Sequence, residues 1–479
     1  MSAPSPVGAE RGAGARSLPG RTVEAVPATA DADPANGTDA PPATNAPEEL
    51  PPAAAHGAPA APAGHEALAA PASDGAPAAP ATQPLTVPAD GVPPVTATPD
   101  ELDAVVAALR ASGGPIAVDA ERASGFRYGQ SAYLVQLRRA GAGTVLLDPV
   151  PLDDLTALAE VVNPAEWVLH AADQDLPCLR ELGLTPAALF DTELASRLLG
   201  SERVGLAAVI AENLGYALAK EHSAADWSTR PLPESWLRYA ALDVELLLEL
   251  RDVLTARLEQ AGKLEWALEE FEHVRTAPPA EPRVDPWRRT AGLQNVRSPR
   301  GLAVAREVWL AREDLARRRD RSPGRVLPAA AIVAAAQAQP SSVEELVKVR
   351  EFGGKGTRRH AAYWQAAVSR ALALPESELP PRRAPHAPGE LPPPRSWAER
   401  NPEAAERLDV VRASVRALAE ENALPQENLL SPRVQRRLAW EVKPRPSTGH
   451  VTDRLLALGA RQWQVGVVAE PLTQALRTV

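Results

Sequence analysis

Cysteine is almost absent from this chain of 479 residues: Cys178 stands alone. That excludes a disulfide framework or a cysteine-rich metal site within one chain and fits a reducing cytoplasm. No apolar run approaches the roughly 20 residues that a membrane span requires. The N-terminus also lacks the short apolar core of a secretory signal, so the expectation is a cytoplasmic protein with no membrane partner. Aromatic residues make up only 4% of the chain, and none falls within residues 1–95. That stretch is mostly Ala, Pro, Gly and Thr, and it cannot bury enough apolar surface to offset its ordering entropy. A disordered tail is expected there.

The formal net charge of −10 conceals an uneven spread. Residues 1–100 carry three arginines against eleven acids, a balance of −8. Residues 273–370 carry nineteen Lys and Arg against nine acids, a balance of +10. An acidic total therefore does not exclude a nucleic-acid partner. Arg317, Arg318, Arg319, Arg321 and Arg325 cluster around one loop, and Lys355, Arg358 and Arg359 around Gly353-Gly354. Phosphate binding and a solvated helix face are both compatible with this pattern.

The length suggests about three domains' worth of sequence. From Thr98 the pattern turns periodic. Thr98 suits an N-cap, Pro99 the first helical position and Glu101 a capping box. Leu102, Val105, Val106 and Leu109 recur at helical spacing. Residues 116–118, 131–138, 144–147 and 167–170 read as strands and 152–162 as a helix, with helical pattern thereafter to about residue 270. Two Pro-rich linkers bracket a helical stretch with helices over 301–319, 328–338, 342–350 and 357–372. Arg325-Val326-Leu327-Pro328 and Asn428-Leu429-Leu430-Ser431-Pro432 each lie between a long helix and another helix, as in two diverged copies of one module.

Chemistry concentrates in Asp119-Ala120-Glu121, at the end of the first strand. Residues two apart on a strand share a face, so both acids look into one space. A divalent cation would relieve their repulsion, and oxygen ligands suit Mg²⁺ or Mn²⁺. Asp173 and Asp175 follow the fourth strand. Asp191 fits an N-cap as well as a ligand. Tyr239 and Asp243, four apart on a helix, can address one site.

This ordered set resembles the DEDD superfamily of 3′–5′ exonucleases, in the Tyr-containing branch that includes ribonuclease D. Asp119 and Glu121 match the first motif, Asp175 the second, and Tyr239 with Asp243 the third. Tyr133-Leu134-Val135-Gln136-Leu137 looks like the family's second strand, and Asp226-Trp227-Ser228-Thr229-Arg230-Pro231-Leu232 like the segment ahead of its third motif. Arg122 stands where the family often has an aromatic. The basic helical stretch resembles the HRDC domain of ribonuclease D and certain helicases.

The resemblance implies an α/β fold, with a ribonuclease H-like mixed-sheet exonuclease domain over 96–275. A linker (276–296), an HRDC domain (297–375), a Pro-rich linker (376–395) and a second all-α HRDC-like domain (396–479) would follow. It further implies a metal-dependent exonuclease holding two divalent cations. Asp119 would bridge them, Glu121 and Asp243 would complete one site, Asp175 would support the other through water, and Tyr239 would orient the attacking water. The implied partner is RNA with a single-stranded 3′ end, such as a tRNA precursor. A DNA exonuclease and a nucleic-acid-binding protein without catalysis are the alternatives.

Each residue also has a plainer reading. Asp243 suits a solvated helix acid and Tyr239 a core aromatic. Glu121 can pair with Arg122 or Arg127. Asp173 competes with Asp175, which the following Leu176 and Leu179 favour. His170 reads as structural beneath the site, Trp227 as packing, and Asp226 and Arg230 as partners of one another or of substrate.

Overall fold

The computed structural model describes residues 82–218, 225–383 and 389–479. Most of the expected tail, residues 1–81, lies outside this description. Its last part, 82–95, departs from the expectation by joining two sheets. Eight strands occur among the described residues: β1 (Gln83–Leu85), β2 (Val95–Thr96), β3 (Ile116–Arg122), β4 (Ala132–Arg139), β5 (Gly143–Leu147), β6 (Glu166–Leu169), β7 (Ala188–Asp191) and β8 (Tyr216–Leu218). β1 pairs in parallel with β8, and β2 in parallel with β5. Averaged composition hides these segments because a sheet edge needs only two or three residues to supply its missing hydrogen bonds.

The main sheet runs β2-β5-β4-β3-β6-β7. β4 is antiparallel to both β3 and β5, while β3, β6 and β7 are mutually parallel. It is the mixed sheet expected of the exonuclease fold. β7 and β8 fall in the stretch expected to be helical. β7 is only Ala-Leu-Phe-Asp, too short to show a period, and its pairing with β6 rather than its own pattern makes it a strand.

Helices cover the sheet. α1 (Pro99–Ala111) starts with the expected capping box between Thr98 and Glu101 and buries Leu102, Val106 and Leu109. α2 (Thr156–Val162), α3 (Leu176–Glu181), α4 (Thr192–Leu198) and α5 (Leu206–Leu214) follow the strands. α6 (Glu234–Glu245), α7 (Leu247–Gln260) and α8 (Leu264–Thr276) complete the domain.

Two helical modules come next. The first holds α9 (Pro299–Arg318), α10 (Pro323–Val326), α11 (Ala329–Ala338), α12 (Val343–Leu346), α13 (Lys355–Arg358) and α14 (Ala361–Ala373). The helices expected over 342–350 and 357–372 are broken, the first ending in a 3₁₀ turn at Arg350–Phe352 before Gly353-Gly354. The second holds α15 (Trp397–Arg400), α16 (Pro402–Glu421), α17 (Gln426–Leu429), α18 (Pro432–Glu441), α19 (Thr448–Ala457) and α20 (Gln462–Leu476).

The modules match in backbone detail. α9 and α16 both have 20 residues, α10 and α17 both have 4, and α11 and α18 both have 10. Asp320 (φ 46°) and Ala423 (φ 47°) take the same left-handed turn after the long helix.

Both modules dock through that equivalent loop, by different means. In the first, Ser322 N donates to Phe126 O (2.9 Å) and Arg325 Nε to Gly125 O (2.8 Å). Asp320 accepts from Tyr128 N and Arg127 Nη1, each at 3.2 Å. This clasp is polar, and the module keeps its own apolar core around Val308, Ile332 and Trp364. In the second, Lys263 Nζ donates to Asn422 O (2.6 Å) and Leu198 O (2.7 Å). Gly200 (φ +79°) passes so close that a Cβ would lie 2.5 Å from Ala423 O. Here the apolar core is continuous with that of the sheet domain. Glu270 receives Arg461 through two bonds (2.6 and 2.8 Å) and Trp463 Nε1 (2.8 Å), and Trp463 stacks on Trp266 at 4.7 Å.

Removing one partner of a buried ion pair strands the other. Arg461→Met is therefore expected to lower the unfolding free energy by about 3 kcal/mol. Arg318→Met, in the exposed pair with Asp314, is expected to cost under about 1 kcal/mol. Urea denaturation followed by Trp fluorescence separates the two, and equal losses would contradict the docking described.

Candidate active site

The alternation of β3 sends Val118 and Ala120 into the main core and turns Asp119 and Glu121 to the opposite face of the sheet. On that face Asp119 lies opposite Gln136 and Glu121 opposite Leu134 on β4. Leu134 packs with Ala240 and Ala241 of α6, so α6 lies over the two acids. Its one-turn spacing presents Tyr239 and Asp243 together, and their side chains are hydrogen-bonded to each other. Trp227 is fully buried against Trp236 and Tyr239, ring centroids 5.4 and 6.5 Å away, and seats the Tyr239 ring. Trp227 is thus a packing residue, as expected.

The other wall is the loop between β6 and α3. Asp175 is 5% exposed and lies at the N-terminal end of α3. Asp173 is exposed and does not line the cleft, whereas Asp175 does. Asp191 anchors the loop rather than facing the cleft. It caps α4 through Glu193 N and Leu194 N (2.9 and 3.1 Å) and also accepts from Ala171 N and Ala172 N (3.2 and 2.8 Å). His170 lines the cleft floor with Nδ1 2.9 Å from Thr192 Oγ1. Burial pushes its pKa down to about 4, leaving it neutral.

Asp119, Glu121, His170, Asp175, Tyr239 and Asp243 together line a cleft of about 310 Å³. Asp119, Glu121 and Asp243 each offer an oxygen, all within 4.8 Å of one another. At 4.8 Å two like charges repel by about 3.5 kcal/mol at an effective dielectric of about 20. Burial, reinforced by the neighbouring acids, pushes Glu121 up to about 10 and Asp175 up to about 8. Burial also raises Asp119 and Asp243. Asp119 and Asp175 face one another closely enough that each acts on the other's carboxyl. Tyr239, buried beside Asp243 and Glu121, is held well above the usual phenol range and stays protonated.

The cation that lines this cleft is Arg122, which pairs with Asp175 at 3.1 Å and donates to Gln174 O. One guanidinium leaves the acids short of positive charge. The donor set fits a divalent cation: hard oxygens, closely grouped and mutually repelling without one.

Several expected pairings resolve differently. Arg122 pairs with Asp175 rather than Glu121, at a register shift in the β3–β4 ladder that sequence pattern does not reveal. Arg127 binds Ser228 and Asp320. Arg230 binds Asp148 through two bonds (2.5 and 2.8 Å), not Asp226, which accepts from Ser228. Asp148 carried no motif, and only the fold brings it to Arg230.

The basic residues divide. Arg317 lies over the Tyr128 ring at 5.3 Å, and Arg325 over Phe126 at 4.0 Å, both within the clasp. Arg318 binds Asp314 and Tyr363. Arg319 and Arg321 line a junction cavity of about 330 Å³ with Phe126, Arg127 and Asp226. Lys355 and Arg358 are exposed on α13, and Arg359 follows it.

Comparison with known proteins agrees with this geometry. A family model described as 3′-5′ exonuclease matches residues 94–259, an HRDC domain model matches 301–368, and a model of the 3′ to 5′ exonuclease C-terminal domain matches 390–476. A ribonuclease D of Gluconacetobacter diazotrophicus is 32% identical over 296 residues, covering 60% of this chain and 74% of the relative. A ribonuclease D of Granulibacter bethesdensis is 31% identical over 339 residues, covering 69% and 82%. Among solved structures, a protein from Bifidobacterium adolescentis has a TM-score of 0.75 at 40% identity, covering 82% of this chain and 99% of its own. Escherichia coli RNase D, described as an exoribonuclease involved in structured RNA processing, has a TM-score of 0.58 at 26% identity, covering 80% and 98%. With the acid cleft on a mixed sheet and two helical modules following it in the chain, the chain belongs to the ribonuclease D family of 3′–5′ exonucleases.

Proposed function

We propose that this chain hydrolyses RNA stepwise from the 3′ end and releases nucleoside monophosphates, with Asp119, Glu121, Asp175 and Asp243 as metal ligands. The observation that carries the reading is the three-carboxylate cluster with Tyr239 beside it in one cleft. When bound, two divalent cations, Mg²⁺ or Mn²⁺, supply an activated water and charge stabilisation of the departing 3′ oxygen. The four carboxylates would bind the cations in their deprotonated form. Tyr239 keeps its phenolic proton and orients the attacking water through hydrogen bonding rather than as a base. Arg122 holds Asp175 against the loop carbonyl of Gln174.

The relatives' names and the description of the E. coli neighbour support RNA, and structured RNAs such as precursor tRNA 3′ ends are the proposed substrate class. No helix among the described residues is long and apolar enough to cross a membrane, and the proposed place of action is the cytoplasm. The division at 96–275, 297–375 and 396–479 would separate catalysis from RNA holding. Arg317, Arg318, Arg319, Arg321, Lys355, Arg358 and Arg359 are the proposed phosphate contacts of the first module.

Matched 5′-labelled RNA and DNA oligonucleotides test the reaction. RNA is expected to shorten from its 3′ end with Mg²⁺ or Mn²⁺ and to stay intact in EDTA. Shortening of DNA alone would sink the ribonuclease reading.

Asp243→Asn is expected to lower turnover at least about 1,000-fold while RNA binding persists. A fully active variant would remove Asp243 from the ligand set.

The raised carboxyls also set a pH dependence. Their folded pKa values lie above the unfolded ones, so the metal-free fold is favoured while they are protonated. It loses that stability as pH rises through about 8 for Asp175 and about 10 for Glu121. A cation replaces those protons. The gain in melting temperature on adding Mn²⁺ should therefore grow between about pH 5.5 and 8.5. Calorimetry showing a constant gain would contradict this.

A further inference from the structure

A second basic cavity shares no lining residue with the acid cleft or the junction. It measures about 480 Å³ and lies at the seam where the chain enters and leaves the first helical module. Arg288 and Arg289 reach it from the entering segment, and Arg382 from the leaving one. Leu293, Val296 and Leu302 form an apolar floor, and no carboxylate lines it.

Arg288 is part of a fixed frame. Its guanidinium lies 4.3 Å over the ring of the buried Trp287, donates to Asp285 at 3.0 Å, and reaches Pro381 O at 3.1 Å, tying entry to exit. Arg289 and Arg382 are exposed at the rim and make no ion pair among the described residues. The volume falls within the roughly 300–1,000 Å³ of small-ligand sites. Arginines above an apolar floor match one nucleotide unit: a phosphate on the guanidinium forks and a sugar or base face beneath.

We infer that this seam cavity binds a phosphate of a polynucleotide strand, as a holding site apart from the acid cleft. The inference rests on the reading of the chain as acting on a polynucleotide. It does not depend on hydrolysis or on the sugar, because a phosphate contact reads neither.

The test is fluorescence anisotropy with a labelled 24-nucleotide strand, RNA in one arm and DNA in the other. Asp243→Asn protein is compared with the same protein carrying Arg289→Glu and Arg382→Glu. Both arms are expected to weaken roughly tenfold at low salt, with the slope of log affinity against log salt shallower by about 0.7 for each phosphate no longer neutralised. Arg289→Lys with Arg382→Lys should keep most of the affinity. Unchanged affinity and slope in both arms would overturn the inference. So would loss of 5′-UMP binding alone, which would mark a mononucleotide site. A chain that binds the strand in this way, yet never shortens RNA with metal, would overturn the hydrolase reading while supporting the seam site.

Discussion

Four carboxylates brought to one small cleft, with a single guanidinium among the residues lining it, are the constraint around which the exonuclease domain is built. Mutual repulsion pushes such groups apart, so the scaffold has to hold each of them by something other than the cluster itself. Asp119 and Glu121 are held by their pairing with β4, on a strand that β6 anchors from the other side at Ile116 and Ala117. Tyr239 and Asp243 are held by α6, which is pinned to the sheet through Leu134, Trp227, Ala240 and Ala241. Asp175 is held by a loop whose backbone N–H groups Asp191 ties to the start of α4. The polar atoms that would relax the cluster lie on rigid elements, which suits a site that exchanges protons for cations.

The helical modules extend this scaffold in two ways. They repeat one backbone course, down to the left-handed residue after the long helix, and dock by the same loop. The second module merges its apolar core with that of the exonuclease domain and seals the joint with Glu270, Arg461 and Trp463. The first keeps a separate core and touches the domain through polar contacts on the loop that follows β3. That loop continues the strand carrying Asp119 and Glu121. Apolar merging favours permanence, whereas a polar clasp of exposed groups is weaker and salt-sensitive. The equivalent loop thus serves as a fused buttress in one module and as a polar contact on the loop after β3 in the other.

Local signals were readable where the physics is local. The Thr98–Glu101 capping box with Pro99 at the first helical position, and the shared face of Tyr239 and Asp243, depend on residues within four of each other. The repeat was readable too, because Leu327 and Leu430 occupy the same place in both copies. β7, β8 and the edge strands at 83–96 were not readable, since segments of two to four residues become strands only when a neighbour offers hydrogen bonds. The same holds for ion pairs. Arg230 was expected to bind Asp226, four residues away, or substrate, but the fold gives it Asp148, 82 residues distant.

The order of the motifs, with acids two apart on a strand and a Tyr and an Asp one turn apart on a helix, already determined the family and the kind of chemistry. Spacing along a regular element dictates which side chains face together, and that is a property of sequence alone. Tertiary structure decided the rest. It brought Asp175 into the cleft and left Asp173 exposed, because only the former is buried where the loop folds back. It assigned Arg122 to Asp175, made Asp191 an anchor, and drew Arg317 and Arg325 into a clasp. Each of these choices is between residues of equal chemical fitness, and only the distance across the fold distinguishes them.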